Sequence, residues 1–238
     1  MIRRAIPNLI TLGNLLCGIL GIITILVPDN SFNFPMHYAA WLLILASVLD
    51  FMDGAASRLL GVSSKVGKEL DSLADAVTFG VLPGLMVFQW FNLYGEATAY
   101  NIHYISFAIP LLSVYRLAKF NVDIRQTDSF IGLPTPANAL FFASFWLISF
   151  YQPDSFILPL LNNSWVLATL SLVFSLLLVS ELPLFSLKFK SLAWRKNSWQ
   201  YLFLLISVGL IVSFYFTAIP FIILLYLLIS VAKNIFER

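Results

Sequence analysis

The 238-residue chain is 60% hydrophobic, 16% aromatic and only 11% charged, with a formal net charge of +2 and a mean hydropathy of +0.88. A soluble domain of this size carries about 25% charged residues, so too little polar surface remains to cover a globule in water, and the fitting solvent is a bilayer. The single cysteine, Cys17, excludes a disulfide framework and reads as a small apolar core residue, and the sparse basic groups offer no nucleic-acid surface.

Apolar stretches near the ~20 residues needed to cross a bilayer run at 7–27, 36–60, 66–92, 102–119, 135–151, 164–184, 200–216 and 217–233. The first follows Arg3 and Arg4, runs past signal-peptide length without a small-residue cleavage site, and reads as a retained span. The last two meet tightly between Thr217 and Pro220, so that pair is either two full spans or a re-entrant hairpin. The expected fold is an all-α integral membrane bundle of about eight transmembrane helices. It forms one domain over 1–238, with a catalytic core at 1–198 and an accessory helical hairpin at 199–238.

All 14 Lys and Arg fall on one side of this arrangement. They are Arg3 and Arg4, Arg58, Lys65 and Lys68 at the second-to-third connection, and Arg116, Lys119 and Arg125 after the fourth span. Lys188, Lys190, Arg195 and Lys196 follow the sixth span, and Lys233 and Arg238 end the chain. The connections at 28–35, 93–101 and 152–163 carry none. Under the positive-inside rule both termini are cytoplasmic.

The second and third spans hold the densest charge. Asp50, Asp53, Gly54, Ser57 and Arg58 share one helical face, and Gly67, Asp71 and Asp75 share another. Folding this hairpin about residues 62–63 brings Asp50 level with Asp75 and Asp53 level with Asp71. Four carboxylates this close cannot all stay ionised at low dielectric without cations, and charge at such depth marks function. All-oxygen ligands select hard ions such as Mg²⁺, Mn²⁺ or Ca²⁺. Two divalent ions would balance the four acids and suit in-line displacement at phosphorus. Gly54 and Gly67 clear space for a ligand, and Arg58 offers a fork for phosphate or a base edge. The competing reading is a solvated hairpin in which Arg58, Lys65 and Lys68 pair with the acids; the shared faces and matched heights of the aspartates weigh against it.

Further along, Glu181 sits in the last turns of the sixth span before Pro183, where snorkelling to the interface accounts for it. His37 and His103 fall at the far ends of their spans and receive no catalytic role. The 22 Phe and six Trp read as lipid-facing or belt residues.

The acid-rich stretch resembles the signature of the CDP-alcohol phosphotransferases, D-x2-D-G-x2-A-R-x8-G-x3-D-x3-D. It runs Asp50, Asp53, Gly54, Arg58, Gly67, Asp71 and Asp75 with the eight-residue gap intact, and departs only at Ser57, where the family has alanine. Other stretches are similar to one branch, the bacterial membrane-embedded phosphatidylserine synthases: PNLITLGNLLCGILGI (7–22), GKELDSLADAVTFGVLPG (67–84), YRLAKFN (115–121), FIGLPTPANAL (130–140) and VSELPLFSLKFK (179–190).

That resemblance implies a six-helix core and a reaction of CDP-diacylglycerol with L-serine to give phosphatidylserine and CMP. It implies two divalent ions, Mg²⁺ or Mn²⁺, held by Asp50, Asp53, Asp71 and Asp75, with Asp75 also the general base. Asp53, Gly54, Ser57, Arg58 and Gly67 would line the CDP site. Thr11 and Asn14, three apart on one face of the first span, either donate to the nucleotide or bond helix to helix. Arg116, Lys119 and Asn121 either bind the carboxylate of a zwitterionic acceptor or anchor the span by charge alone. Asn138 is a weaker candidate for the acceptor pocket. The resemblance further implies a homodimer in a bacterial cytoplasmic membrane, among membrane lipids, with the site facing the cytoplasm. Rival acceptors are glycerol 3-phosphate, an inositol phosphate or choline; a phosphorylated one would need more cations than Arg116, Lys119 and Arg125 provide. From another class, an ion or proton transporter would use such intramembrane acids, but no polar residues continue a path to the other side.

Overall fold

Glycines and helix ends set this architecture, because close helix approach inside a bilayer depends on small side chains. The computed structural model describes residues 2–27, 35–62, 64–95, 101–123, 130–185 and 197–236. Arg125, Lys188, Lys190, Arg195, Lys196 and Arg238, and the side chains of Arg3 and Arg4, lie outside the described residues.

Helix α1 (Ile2–Leu26) lies along α2 (His37–Leu59) and against a third, longer rod. That rod is α3 (Lys65–Asp75), a π-helical segment (Ala76–Val81) and α4 (Leu82–Tyr94) in unbroken succession. A 3₁₀ turn (Ile102–Phe107) leads into α5 (Ala108–Val122). Then come α6 (Thr135–Tyr151), the short α7 (Leu158–Asn162), α8 (Ser164–Val179), α9 (Ser198–Phe214) and α10 (Ala218–Phe236). Two dipeptide strands, β1 (Phe130–Ile131) and β2 (Pro183–Leu184), pair antiparallel.

Among the described residues, five segments are long and apolar enough to cross a membrane: Ala5–Leu26, His37–Leu59, Lys65–Tyr94, Ile102–Val122 and Ser198–Phe236. The last contains two helices, α9 and α10, which pack on each other. With α6 of 17 residues and the apolar α8 of 16, about 26 and 24 Å long at ~1.5 Å per residue, the expected eight rods are all present. The expected sixth span to residue 184 is corrected: α8 stops at Val179, and Glu181 stands outside it. Pro183 cannot donate a helical hydrogen bond, and the backbone there turns to the β1–β2 pairing instead.

The final hairpin runs the full length of α6. At one end, Gln152 beyond α6 accepts the Thr217 N–H at 2.9 Å and donates to the Phe214 carbonyl at 3.1 Å, holding the α9–α10 turn. At the other, Asn234 Nδ2 donates to the Pro183 carbonyl at 2.6 Å. A re-entrant loop would not connect both ends, so two complete rods are the better description.

The π-helical segment is wedged between α1 and α5. A Cβ on Gly18 would fall 2.3 Å from Thr78 Oγ1 and 3.0 Å from Thr78 Cα, and one on Gly80 would meet Ser113 at 3.2 Å. Gly18→Ala should therefore push α1 off the segment, at an overpacking cost of about 1–3 kcal/mol. A lower melting temperature in detergent and reduced activity are expected. Unchanged melting with full activity would mean α1 is not seated there.

Candidate active site

Three elements build the site: α2, α3 and the start of α1. Helix α2 ends in a turn closed from both sides. Ser57 Oγ donates to the Val62 carbonyl at 2.5 Å, the Val62 N–H donates to the Ser57 carbonyl at 3.1 Å, and Gly61 takes φ +61°. That φ favours glycine. Ser64 then caps α3, its Oγ accepting the Gly67 N–H at 2.9 Å. The turn thereby fixes how the two acidic faces meet.

One carboxylate oxygen each from Asp50, Asp53 and Asp71 lie within 4.8 Å of one another. Asp53 is buried, Asp50 and Asp71 are half-buried, and the Asp71 Oδ1 atom has no hydrogen-bond partner in the protein. Among the described residues no Lys or Arg nitrogen reaches ion-pair distance of these acids; Lys68 Nζ donates instead to the Asn121 carbonyl at 3.0 Å. Clustered carboxylate oxygens without counter-charge fit a hard divalent cation. The hairpin arithmetic placed Asp75 level with Asp50. In the structure Asp75 stands outside the 4.8 Å group, though Asp50, Asp71 and Asp53 remain its electrostatic neighbours.

Helix α1 supplies what holds two of these acids. Thr11 Oγ1 donates to Asp53 Oδ2 at 2.5 Å, and Asn14 Nδ2 donates to Asp75 Oδ1 at 3.1 Å. Thr78 Oγ1 from the π-helical segment in turn donates to the Asn14 carbonyl at 3.3 Å. Of the two alternatives open for Thr11 and Asn14, helix-to-helix bonding is therefore realised, with a carboxylate as the acceptor each time.

Beside the acids lies a cavity of about 230 Å³ lined by Thr11, Asp53, Gly54, Ser57, Gly67 and Asp71. It brings together five of the seven residues expected at a CDP site. Asn14 is fully buried behind it, and Arg58 is exposed, its Nη1 3.4 Å from where a Gly54 Cβ would stand. The lining also includes Pro7, Asn8, Val62, Ser64 and Lys68, which sequence reasoning missed. Asn8 was legible, since it precedes Thr11 by three on the same helical face. Its Oδ1 lies 3.0 Å from where a Gly67 Cβ would be.

The expected acceptor residues diverge. Arg116 is buried, its Nε has no partner in the protein, its guanidinium carbon lies 5.7 Å over the Phe120 ring, and Asp75 is its electrostatic neighbour. Lys119 Nζ is 3.5 Å from Glu181 Oε1. Arg116 and Lys119 share a small cavity with Ile131, Leu178 and Ser180. Asn121, five residues and about 140° round the helix from Arg116, faces α3, where its Nδ2 donates to Ser72 Oγ at 2.8 Å. Loop 130–133 seats beside this group. Gly132, at φ +75°, donates its N–H to the Leu182 carbonyl at 2.9 Å, and Leu133 donates to the Leu177 carbonyl at 2.9 Å.

Ser57 is the one departure from the resembled signature, and its hydroxyl is engaged by the turn. Ser57→Ala should cost about 0.5–1.5 kcal/mol, the net worth of a typical hydrogen bond, and leave activity within about threefold. A large loss of activity at unchanged melting temperature would instead mark a ligand contact.

The chain is similar to proteins named CDP-diacylglycerol–serine O-phosphatidyltransferase. The Bacillus subtilis (strain 168) relative is 36% identical over 135 residues, covering 55% of this chain and 69% of the relative. The Helicobacter pylori (strain J99) relative is 38% identical over 140 residues, 56% of this chain and only 54% of the relative. The Methanocaldococcus jannaschii relative is 32% identical over 177 residues, 74% of this chain and 72% of the relative. The CDP-alcohol phosphatidyltransferase family pattern matches residues 4–177, a stretch that contains all four aspartates, both α1 partners and the buried Arg116. With the spacing, the helical hairpin and the acid cluster agreeing over that stretch, the chain is an integral membrane protein that belongs to the CDP-alcohol phosphatidyltransferase family.

Proposed function

We propose that the protein transfers a phosphatidyl group from CDP-diacylglycerol to L-serine, giving phosphatidylserine and CMP. The observation that carries this reading is the grouping of Asp50, Asp53 and Asp71 oxygens within 4.8 Å, beside a cavity large enough to admit a nucleotide's phosphates. The names of the similar proteins support serine as the acceptor.

In this reading the serine hydroxyl oxygen forms a bond to the phosphorus that carries diacylglycerol. The bond from that phosphorus to the bridging oxygen of CMP breaks, and CMP leaves with the electron pair. Asp75 takes the hydroxyl proton; its burial and the Asn14 hydrogen bond fix the carboxylate in one orientation. Asp50, Asp53 and Asp71, with Asp75 at the margin, would hold two divalent ions, Mg²⁺ or Mn²⁺, whose chemistry is to offset charge on the pyrophosphate and on departing CMP. Thr11 keeps Asp53 turned toward that group. Gly54 and Gly67 leave room for the phosphates along the cavity wall, while Ser57 and Ser64 keep the wall in shape. Arg116 is the group for the acceptor's carboxylate, with Lys119 beside it. Lys119 is already engaged by Glu181, which leaves little positive charge for a phosphorylated acceptor.

The core is read as residues 1–198 and the accessory hairpin as 199–238; every residue named above lies in the former. The one-sided distribution of Lys and Arg supports a site facing the cytoplasm of a bacterial inner membrane. A homodimer rests on the resemblance alone.

Purified protein given CDP-diacylglycerol, Mg²⁺ or Mn²⁺ and radiolabelled serine should release CMP in step with labelled lipid. No serine-dependent CMP release with any divalent metal would reject the reading, and faster release with another alcohol would reassign the acceptor.

A further inference from the structure

Asn138 lies one turn into α6 and is fully buried, yet neither its Nδ2 nor its Oδ1 has a hydrogen-bond partner in the protein. A primary amide can make four hydrogen bonds, and burying one without any is costly. Three other buried polar atoms without partners lie on helices that pack around the same region: Arg116 Nε and Ser113 Oγ on α5, and Ser175 Oγ on α8. Helix α5 packs on α8 and on the π-helical segment after Asp75, and α6 packs on both of these as well. Arg116 lines a cavity with Ile131, of the loop that leads into α6, and with Leu178, one turn beyond Ser175.

The serines are the weaker members, since a helical serine can turn back on its own helix. Ser47, Ser72, Ser171 and Ser230 each donate to the carbonyl four residues before. Asn138 makes no such bond to its own helix: both its Nδ2 and its Oδ1 are buried without a partner in the protein. Its backbone is also pinned, because the preceding loop is bonded to the end of α8 through Gly132 and Leu133. Further buried atoms without partners, Trp90 Nε1, Asn162 Oδ1 and Ser207 Oγ, are single and lie on other helices.

A guanidinium on α5 and an amide on α6, both buried and both with unused polar atoms, offer a small zwitterion a cation for its anionic group and an amide oxygen for its ammonium. Resting on the proposed serine reading, we propose that Asn138 is an acceptor-binding residue whose Oδ1 accepts from the substrate's α-ammonium, with Arg116 Nε donating to the carboxylate. The amide so placed selects an α-amino acid over the same hydroxy acid without nitrogen. Its missing partners belong to the substrate.

The test is Asn138→Leu, assayed with serine and with 3-hydroxypropanoate, which keeps the hydroxyl and carboxylate but lacks the ammonium. The serine KM should rise roughly ten- to a hundredfold, the worth of a hydrogen bond to a charged group. The KM for CDP-diacylglycerol should stay within about twofold, and the preference for serine over 3-hydroxypropanoate should shrink by about tenfold or more. A merely structural amide predicts the opposite pattern, since an apolar residue of similar shape relieves the unpaired atoms. Higher melting temperature with serine KM and acceptor preference unchanged would overturn the proposal. Should the leucine variant fail to fold, Asn138→Ser carries the same comparison: a raised serine KM with reduced preference supports the assignment, and wild-type values reject it. Wild-type protein that releases no CMP with serine would fail the underlying reading instead, a result distinct from either variant outcome.

Discussion

Asp75→Asn should bind CDP-diacylglycerol like the wild type and turn over roughly 10²–10⁴-fold more slowly, the range that a positioned base contributes. The substitution keeps the size of the side chain, and an amide oxygen can still accept from Asn14 Nδ2, so the 3.1 Å contact survives. Proton acceptance and the carboxylate's negative charge are removed. Asp75 also stands outside the 4.8 Å acid group, so losing its charge should disturb metal affinity less than any change within the group. Single-turnover CMP release, set beside calorimetric binding of CMP or the CDP-lipid, separates the two effects. Full turnover in this variant would remove Asp75 from the base role. A parallel loss of nucleotide binding would assign it to the metal group with the other three.

Chelation should abolish CMP release, and added Mg²⁺ or Mn²⁺ should restore it. Asp71→Asn is the sharpest probe, because the Asp71 Oδ1 atom has no partner in the protein and no structural bond is lost with it. The variant should need about tenfold or more metal for half-maximal activity. Its stability should change in a diagnostic direction. Without metal, three clustered carboxylates repel one another, so Asp71→Asn should melt higher than wild type in EDTA. With metal the order should reverse, since a ligand that binds only the folded state stabilises it in proportion to its affinity. Thermal melts across a metal titration read both limbs. Undiminished wild-type activity in EDTA would rule out a metal site here.

Much of this was legible from local pattern. Asp50 and Asp53 occupy one face of α2 and Asp71 and Asp75 one face of α3 because a helix repeats every 3.6 residues, and that period is written in the spacing. The eight rods were legible because apolar length near 20 residues is set by the bilayer. Where the pattern misled, backbone chemistry beyond the helix period was responsible. The expected sixth span ran to residue 184 on hydropathy alone, while Pro183 and the pairing with β1 end α8 at Val179. Asn121, close to Arg116 in sequence, is rotated about the helix toward Ser72 of α3, a contact that hydropathy does not encode.

What the sequence by itself determined, then, is what depends on helical period, bilayer thickness and charge: a helical membrane chain, the positions of its spans apart from the end of the sixth, and two acidic faces joined by a short turn. The tertiary structure decided which residue holds which acid. Thr11 could have met any carboxylate at its depth, and it is the close contact of α1 with the π-helical segment at Gly18 and Thr78 that sets its register. That same contact brings Asn14 to Asp75. Loop 130–133 meets the end of α8 across some 45 residues of intervening chain, and the helix it leads into carries Asn138, a buried amide without partners in the protein. Contacts of that kind depend on the relative rotation and depth of helices far apart in the chain, which no local periodicity encodes.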